Sequence, residues 1–261
     1  MKAQIYSIDG KALKEVELPQ QFSAEVRPDL ISRAAIADQT THYQPKGNDP
    51  RAGMETSARY RGRKEDFGSG KNKGTAIRPR EVLPKGRLGK VKRIPSAVKG
   101  RRAHPPHVNK IIIEKINRRE YRSALVSAIA ATAQTSTVVL RGHKVPLALK
   151  LPIIFESAFE SVSKTSQVHK MLAALFSADL ERAQERKLRI GVRARKGGKR
   201  YPSSAIIVVS KDCPALKASR NIPGVDVVAV SGLSVEKLAP GAKAGRLAVY
   251  TEAALAEIAK L

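Results

Sequence analysis

Arginine and lysine side chains crowd one internal segment of the chain, and they predict a surface that binds phosphate groups. Between Pro45 and Pro106 the sequence contains 18 Lys and Arg but 5 Asp and Glu, which leaves a net charge of +13. Guanidinium groups bind phosphates through paired hydrogen bonds, and the interspersed glycines let the backbone approach a crowded phosphate lattice. Aromatic residues from 43 to 106 are few, namely Tyr43, Tyr60 and Phe67. The segment therefore fits recognition of folded RNA by its backbone and shape better than stacking on single strands.

A second cationic run, from residue 187 to residue 200, contains no acid. Its glycines, Gly191, Gly197 and Gly198, predict a flexible loop on the surface of a folded domain. There it would contact phosphates that the first segment does not reach. The predicted RNA-binding residues of the two runs are Arg59, Arg61, Arg63, Lys64, Lys71, Lys73, Arg78, Arg80, Lys85, Arg87, Lys90, Lys92, Arg93, Lys99, Arg101, Arg102, His104, Lys187, Arg189, Arg193, Arg195, Lys196, Lys199 and Arg200.

Two glycine-rich motifs invite a nucleotide-binding interpretation, and neither has the required spacing. In the stretch 68–74 the third glycine comes one place too late for a dinucleotide-binding fingerprint. Gly198-Lys199 is followed by Arg200, where a phosphate-binding loop needs Ser or Thr to hold magnesium, and Arg193 stands where the first glycine of that loop belongs. No cofactor is therefore predicted.

The histidines and acids predict neither a metal site nor a catalytic site. His104 and His107 are separated by two prolines and have no Cys or carboxylate cluster beside them, so we interpret them as turn histidines that donate to a phosphate or to the backbone. General acid–base catalysis needs paired carboxylates or a Ser/His/Asp set in a cleft. The acids of the C-terminal half are instead predicted on solvated helix faces, and the other histidines are isolated. These residues are Glu156, Glu160, Asp179, Glu181 and Glu185, and His42, His143 and His169.

The composition of the whole chain favours a nucleic-acid partner. Its 261 residues carry 49 Lys and Arg against 23 Asp and Glu, a net charge of +26, and 42% of them are hydrophobic, enough to bury a core. An anionic membrane surface is disfavoured because the chain has no Trp and no basic amphipathic helix. The first 18 residues lack the apolar region of a signal peptide, so a cytoplasmic location is expected. The lone Cys213 excludes an internal disulfide and predicts a small apolar side chain that is buried or half-buried.

The hydrophobic pattern places the basic segment outside the folded core. From residue 43 to residue 106 no helix or strand pattern persists for two turns, and a loop of this length needs an external partner to order it. The predicted organisation is therefore a globular domain made from residues 1–42 and 107–261. The segment 43–106 is a long, basic, non-globular internal extension of that domain.

The residues on either side of this extension predict an α/β fold. Short apolar strands alternate with helices, which is typical of a mostly parallel sheet flanked by helices. The layering would be Rossmann-like, without a nucleotide site. Asn117 and Glu120 predict a capping box at the start of one helix. The predicted strands are 4–8, 138–140, 205–209, 227–230 and 247–250. The predicted helices are 29–38, 118–134 and 251–261, with one or two further helices in 164–186.

Several short motifs resemble large-subunit ribosomal protein L four of the archaeal and eukaryotic type. The strongest are VKGRRAHPP at 98–106 and the helical stretch SAIAATA at 127–133. The matches span nearly the whole chain in the expected order, which makes the resemblance more specific than any one motif. The other matching segments are 27–31, 141–143, 220–225, 238–241, 245–247 and 251–252.

This resemblance implies a structural, non-enzymatic protein of the large ribosomal subunit. It implies an α/β domain on the outer face of the subunit, an internal extension that runs through ribosomal RNA to the peptide exit tunnel, and a role early in assembly. The implied partners are large-subunit ribosomal RNA, other large-subunit proteins including ribosomal protein L twenty-two, and the nascent polypeptide, with no membrane and no small-molecule substrate. The implied tunnel-lining residues are Gly68, Ser69, Gly70, Lys71, Asn72 and Lys73.

Two details qualify the resemblance. Residues 242–244 read Ala-Lys-Ala, where many members of the family carry another glycine and often a histidine, and this affects only the expected contacts with neighbours. The chain stops at Leu261 without a long C-terminal extension, which favours an archaeal over a eukaryotic member.

Two other functional classes remain open from the sequence. One is a nonribosomal enzyme that acts on RNA and holds its substrate with the basic segment, although the missing catalytic and cofactor motifs count against it. The other is a standalone RNA-binding protein of the chaperone type. Such a protein would bind diverse RNAs with similar affinity and would not sediment with ribosomes.

Overall fold

The computed structural model describes residues 1–8, 10–146 and 149–261, apart from the side chains of Val192, Arg193 and Lys196. Two of the predicted RNA-binding side chains, Arg193 and Lys196, therefore lie outside the described part. The described chain divides into two compact units. Unit 1 comprises Met1–His42 with Ile113–Leu261, and unit 2 comprises Tyr43–Ile112.

Ten strands are present in the described residues. They are β1 (Lys2–Tyr6), β2 (Ala12–Glu17), β3 (Arg80–Val82), β4 (Leu88–Val91), β5 (Ile153–Phe155), β6 (Lys187–Leu188), β7 (Lys199–Arg200), β8 (Ile206–Val209), β9 (Asp226–Ala229) and β10 (Ala248–Thr251). Six of them form the main sheet of unit 1, in the spatial order β2-β1-β5-β10-β8-β9. β2 pairs with β1 in antiparallel fashion, whereas every other pairing in this sheet is parallel, so the sheet is mixed.

Helices cover both faces of this sheet. One buried cluster joins the sheet to α1, α2, α6 and α7, and the other joins it to α3, α4 and α5. No helix in the described residues is long and apolar enough to cross a bilayer. The helices are α1 (Pro28–Thr41), α2 (Arg118–Ala133), α3 (Thr135–Leu140), α4 (Thr165–Gln184), α5 (Pro214–Ser219), α6 (Val235–Leu238) and α7 (Glu252–Ile258).

The central strand β8 shows why the sequence forms this layered α/β fold. Its residues are apolar without interruption and all are buried. Ile206 and Val208 enter the cluster beneath α1 and α2, while Ile207 and Val209 enter the cluster beneath α4 and α5. Successive side chains of a strand point to opposite faces, so a continuous apolar run requires cover on both sides. The α/β class is confirmed.

The predicted strand at 138–140 is wrong, because these residues end the short helix α3. Val138 is fully buried, whereas Val139 and Leu140 are 52% and 89% exposed. A short apolar run does not by itself distinguish a strand from a helix. The hydroxyl of Thr137 decides between them here, since it donates to the carbonyl oxygens of Ala131 (2.6 Å) and Gln134 (2.8 Å) where α2 ends and α3 begins. The other predicted strands and helices are confirmed in type, with shifted ends.

Two strands of the main sheet, β2 and β5, are absent from the sequence-based prediction. β5 contains three residues that follow a proline, too few to register as a pattern. β2 is an edge strand whose residues are almost all exposed, so it lacks the apolar alternation of a half-buried strand.

The capping box predicted at the start of α2 does not form. Asn117 occupies the N-cap position, but its side chain makes no capping hydrogen bond. Glu120 instead accepts a hydrogen bond from Arg33 on α1, with 2.7 Å between Nη1 and Oε1. An ion pair between the two helices has replaced the local cap.

Unit 2 is built differently from unit 1. β3 and β4 form an antiparallel hairpin, and Arg59 exchanges backbone hydrogen bonds with Arg80 beside it. Among residues 43–112, all of which are described, Ala58 is the one buried hydrophobic side chain. Turns and backbone pairing therefore shape this unit, because it has no apolar core of its own.

We predict that Gly224→Ala destabilises unit 1 far more than Gly241→Ala. Both glycines have a positive φ, +77° and +75°, which costs an alanine about 1–2 kcal/mol. A Cβ at Gly224 would also lie 2.6 Å from the carbonyl oxygen of Pro202, whereas a Cβ at Gly241 would meet nothing within 4 Å. Urea unfolding should show a loss of roughly 3 kcal/mol or more for the first variant and about 1 kcal/mol for the second. Equal losses would contradict this account of the backbone contact.

Candidate nucleic-acid interface

The cations of unit 2 are exposed and have no acidic partner. Of the predicted RNA-binding residues in this unit, only Arg61, Arg80 and Lys92 are half-buried, and the others are exposed. Every residue from 43 to 112 is described, and no ion pair occurs among them. The positive charge of the segment is therefore left for an external anion.

Several of these arginines also hold the backbone of unit 2 in place. Arg93 donates from Nε to the carbonyl of Met54 (3.1 Å) and from Nη2 to that of Thr56 (3.2 Å). Arg61 donates to the carbonyl of Phe67 at 2.6 Å. A guanidinium carries five N–H donors, so these contacts orient the side chain and leave donors for a phosphate.

The stretch implied as tunnel-lining, Gly68–Lys73, divides into a buried and an exposed part. Ser69 and Gly70 are buried, and the hydroxyl of Ser69 accepts a hydrogen bond from the backbone of Lys71 at 3.2 Å. Lys71, Asn72 and Lys73 are exposed, and Asn72 has a left-handed φ of 61°. The exposed three residues form the tip of a tight turn.

The second cationic run forms a hairpin rather than an irregular loop. β6 pairs with β7, Lys187 lies opposite Arg200, and the 3-10 helix Gly191–Lys196 connects the strands. The side chains of Lys187, Arg189, Arg195, Lys199 and Arg200 are exposed. At the base of the hairpin Arg186 lies 5.4 Å from the ring centroid of Tyr201, a cation–π contact that ties the two arms together.

Unit 1 contains a buried ionic network centred on Asp179, which has no exposed surface. Its carboxylate accepts hydrogen bonds from Ser204 Oγ (2.6 Å), Arg182 Nε (3.0 Å) and the backbone of Lys144 (3.0 Å). His143 Nδ1 lies 3.2 Å from Oδ2 of the same carboxylate. Burial alone would raise the pKa of Asp179, but the hydrogen bonds from His143, Arg182 and Ser204 hold it below its ordinary value.

This network brings a serine, a histidine and an aspartate together without forming a catalytic triad. In a triad the serine hydroxyl is bonded to the histidine, which abstracts its proton. Here the hydroxyl of Ser204 donates directly to Asp179, and Ser204 is fully buried. No substrate could reach that oxygen, so the network is structural.

A cationic cavity of about 350 Å³ opens beside this network. It lies at the amino ends of the parallel strands, because Pro202 and Ser203 immediately precede β8. No Asp or Glu is found among the described residues that line it. Its ionisable lining residues are Arg141, His143, Arg182, Lys187, Arg200 and Lys243.

Arg141 is fixed in the wall of this cavity by backbone carbonyls. Its Nη2 donates to Pro240 at 2.5 Å, and its Nη1 donates to the carbonyl of Lys243. Burial, together with repulsion from Arg246 and Arg182, lowers the pKa of Arg141 to about 10. The guanidinium of Arg141 stays cationic at neutral pH. The cations around it outnumber the described acids that could neutralise them.

Arg246 is the other buried arginine of this region, with 1% of its surface exposed. It donates to the carbonyls of Ser204 (2.9 Å) and Lys237 (2.9 Å), and it pairs with Asp226 at 2.5 Å. Segments 141–143, 220–225, 238–241 and 245–247, which carried the family resemblance, therefore surround the amino ends of β8 and β10. Two of these segments, 141–143 and 238–241, supply residues that line the cavity.

Glu160 lies on the opposite side of the sheet from the cavity, where the parallel strands end. Its carboxylate accepts from Ser210 N (2.9 Å), Ser210 Oγ (2.7 Å) and Thr251 Oγ1 (2.7 Å), at the carboxyl ends of β8 and β10. Burial raises the pKa of Glu160, but these hydrogen bonds bring it below its ordinary value. Open α/β sheets bind nucleotide phosphates at the carboxyl ends of their strands. An anionic carboxylate at this position would repel the phosphates and so disfavours a nucleotide.

The sequence-based prediction missed the network and placed three acids wrongly. Asp179 is fully buried, Glu160 is hydrogen-bonded and half-buried, and Glu156 is half-buried and accepts a hydrogen bond from the backbone of Ile8 at 3.3 Å, whereas all three were predicted on solvated helix faces. The second half of α4, after the break in helical geometry at Phe176, carried part of the missing signal, since Asp179 lies four residues before the buried Ala183 and so on the same helix face. His143 is buried against Asp179, although its sequence neighbours gave no sign of a partner.

The remaining singled-out residues carry no further site. His104 and His107 are exposed beside Arg102, and no group of three or more potential metal ligands occurs within the described residues. Glu181 and Glu185 are exposed as predicted, and Cys213 is a half-buried free thiol as predicted.

Comparison with known proteins places these features in a family context. The sequence profile of the Ribosomal protein L4/L1 family matches residues 16–261. The chain is 46% identical over 264 residues to large ribosomal subunit protein uL4 of Methanocaldococcus jannaschii, with 99% of this chain and 98% of the relative covered. It is 45% identical over 257 residues to the uL4 protein of Methanoculleus marisnigri (98% and 97% covered) and 41% identical over 261 residues to that of Haloquadratum walsbyi (99% of each). The resemblance inferred from the motifs, including its archaeal character, is confirmed.

We predict that Asp179→Asn destabilises the protein by about 3 kcal/mol at pH 7, since it removes the charge that three buried or half-buried donors share. The pKa of Asp179 is lower in the folded chain, so its contribution is complete above the unfolded value near 4 and disappears as the pH falls through the folded value. Urea unfolding at several pH values should show wild type and variant converging in acid. Asp212→Asn, at an exposed acid of the same unit, is the control and should change stability by less than about 0.5 kcal/mol. A difference that persists unchanged to low pH would contradict the assignment.

Proposed function

Since the chain belongs to the Ribosomal protein L4/L1 family, we propose that it is a structural, non-enzymatic constituent of the large ribosomal subunit in the cytoplasm. The matched relatives are named large ribosomal subunit protein uL4, and they align with almost the whole of this chain. The partner that the chemistry supports is ribosomal RNA of the large subunit.

The observation that carries this proposal is the unpaired positive charge of unit 2. A folded protein normally offsets its surface charge with acids, whereas residues 43–112 contain no ion pair. Exposed Lys and Arg at this density repel one another unless a polyanion lies between them. The phosphates of folded RNA supply that negative charge and release counterions when they are bound.

The fold proposal has two parts. The first is that unit 1 has Rossmann-like layering without a nucleotide site, which is supported by the parallel strands around β8 and by Glu160 at their carboxyl ends. The second is that unit 2 serves as a basic extension that needs RNA to stabilise it. Its single buried hydrophobic side chain, Ala58, supports this second part because so small a core cannot offset the entropy of folding.

The finer assignments rest on the resemblance together with the chemistry of unit 2. Lys71, Asn72 and Lys73, at the exposed turn, would line part of the polypeptide exit tunnel and meet the nascent chain. Ribosomal protein L twenty-two would be the protein partner near this turn. The cations of unit 2 and of hairpin 187–200 would contact ribosomal RNA, and binding early in assembly would couple their ordering to the folding of the RNA.

An enzyme that acts on RNA is the competing class, and the arrangement of polar groups in unit 1 counts against it. The Ser204, His143 and Asp179 side chains are buried and already satisfied by one another. Glu160 is half-buried and is bonded to Ser210 and Thr251 rather than aimed into a cleft.

We predict that the native chain co-sediments with the large subunit. A sucrose gradient of cell lysate in moderate salt, probed for this chain and for large-subunit RNA, should show both in the same fractions, and the chain should stay there after a high-salt wash. If the chain peaked at the top of the gradient, this result would contradict the ribosomal proposal and favour a standalone RNA binder or an RNA-acting enzyme.

We predict that a chain lacking residues 43–112 folds but does not support normal subunit assembly. The two ends of unit 1 that flank this segment are adjacent, because the backbone of Glu114 donates to Thr40 Oγ1 at 3.0 Å, so a short Gly-Ser linker can join them. Circular dichroism should show cooperative unfolding, while gradients from cells that depend on this variant should show aberrant or missing large subunits. Normal subunits from these cells would refute the role given to unit 2.

A further inference from the structure

The cationic cavity of unit 1 is a second feature whose charge the described residues leave uncompensated. Its cations come from four separate places in the fold: Arg141 follows α3, Arg182 lies on α4, Lys187 and Arg200 face each other on the hairpin, and Lys243 precedes β10. Of these, only Arg182 has an acidic partner within the described residues. Convergence from four segments distinguishes this site from a charged stripe along one helix.

The back wall of the cavity is rigid. Arg182 and His143 are held by the buried carboxylate of Asp179, and Arg141 is held by the carbonyls of Pro240 and Lys243. Cations that are fixed before the ligand arrives lose little entropy on binding. The front is lined by the exposed side chains of Lys187 and Arg200, which can adjust to the ligand.

The size and chemistry of the cavity indicate one compact anion. A volume of about 350 Å³ is at the lower end for small-ligand pockets and accommodates a phosphate with its sugar, rather than a base-paired helix. Guanidinium forks and ammonium groups without any acid match the several oxygens of a phosphate. The neighbouring hairpin would then contact the phosphates on either side.

We propose that this cavity binds one backbone phosphate of the ribosomal RNA and so fixes unit 1 on the RNA surface. The inference rests on the proposed function, because it takes the RNA as ligand, and it adds to the proposed contact of hairpin 187–200 a preorganised phosphate site on unit 1. The cavity differs from the nucleotide sites of α/β sheets, since it lies at the amino ends of the strands and uses side-chain cations in place of a glycine-rich loop.

The test compares two charge-matched variants of the full-length protein. Arg200→Gln with Lys243→Gln removes two cavity cations whose side chains make no hydrogen bond or ion pair within the described residues. Lys211→Gln with Lys217→Gln removes two exposed cations of unit 1 that follow the carboxyl end of β8. Thermal unfolding should give the same midpoint for wild type and both variants.

Affinity for a transcript of the large-subunit RNA is then measured as a function of salt. The cavity variant should bind about tenfold more weakly, and its log affinity against log salt should be shallower by about one. The control variant should change affinity by less than about twofold. Equal losses of affinity in the two variants would show that the cavity contributes only general electrostatic attraction, and they would overturn the proposal. Failure of the wild-type protein to bind the transcript would instead overturn the proposed function.

Lysine acylation followed by mass spectrometry identifies the occupant. Lys187 and Lys243 should become protected when the transcript is added, while Lys211 and Lys217 keep their reactivity. Millimolar inorganic phosphate alone should not protect them; protection by phosphate but not by RNA would assign the cavity to a free anion and overturn the proposal. Protection found only in the complete subunit, and not with the transcript, would indicate a protein carboxylate and overturn it as well.

Discussion

The buried carboxylate of Asp179 is the interaction on which the organisation of unit 1 depends. It joins the loop after α3, the end of α4 and the residue that leads into β8, through His143, Arg182 and Ser204. An unpaired charge in a protein interior is costly, so these donors must stay in place for Asp179 to remain buried and ionised. The fold thereby fixes the directions of the cations that surround it. The cavity beside α4 has a wall held in place by hydrogen bonds, because His143 and Arg182 are both bonded to the carboxylate behind it.

The distribution of charge follows from the same constraint. Where a cation is buried, as at Arg246, the chain provides Asp226 and several carbonyl oxygens to satisfy it. Where cations are exposed, as in most of residues 43–112, the few acids of the segment form no ion pair with them. A protein that needed only solubility would intersperse acids with these cations. The pattern is that expected of a protein whose charge is completed by another molecule, and it supports the proposal that RNA stabilises unit 2, which has almost no apolar core.

The parts of the fold that could be predicted from the sequence are those in which one pattern determines the structure. The apolar run of β8 consists entirely of β-branched residues, which favour a strand, and α2 has a long helical spacing, so both were predicted. The errors lie where two solutions compete. Residues 138–140 are apolar enough for a strand, but the hydroxyl of Thr137 satisfies carbonyls at the end of α2 and favours a helix. β2 was missed because an exposed edge strand leaves no hydrophobic alternation to read.

The candidate site likewise has one part that could be predicted from the sequence and one part that could not, for a physical reason. The cations of unit 2 can be recognised from the sequence because they are close together along the chain. The cavity cannot be read in this manner, since Arg141, Arg182 and Lys243 are distant in sequence and become neighbours only through the sheet. Long-range electrostatics brings RNA to the exposed cations, but it is sequence-independent and leaves the orientation of the folded unit undefined. Under our proposal, a preorganised cavity for one phosphate would supply that orientation. The two features would then complement each other, because the exposed cations of unit 2 would provide affinity and the cavity would provide register.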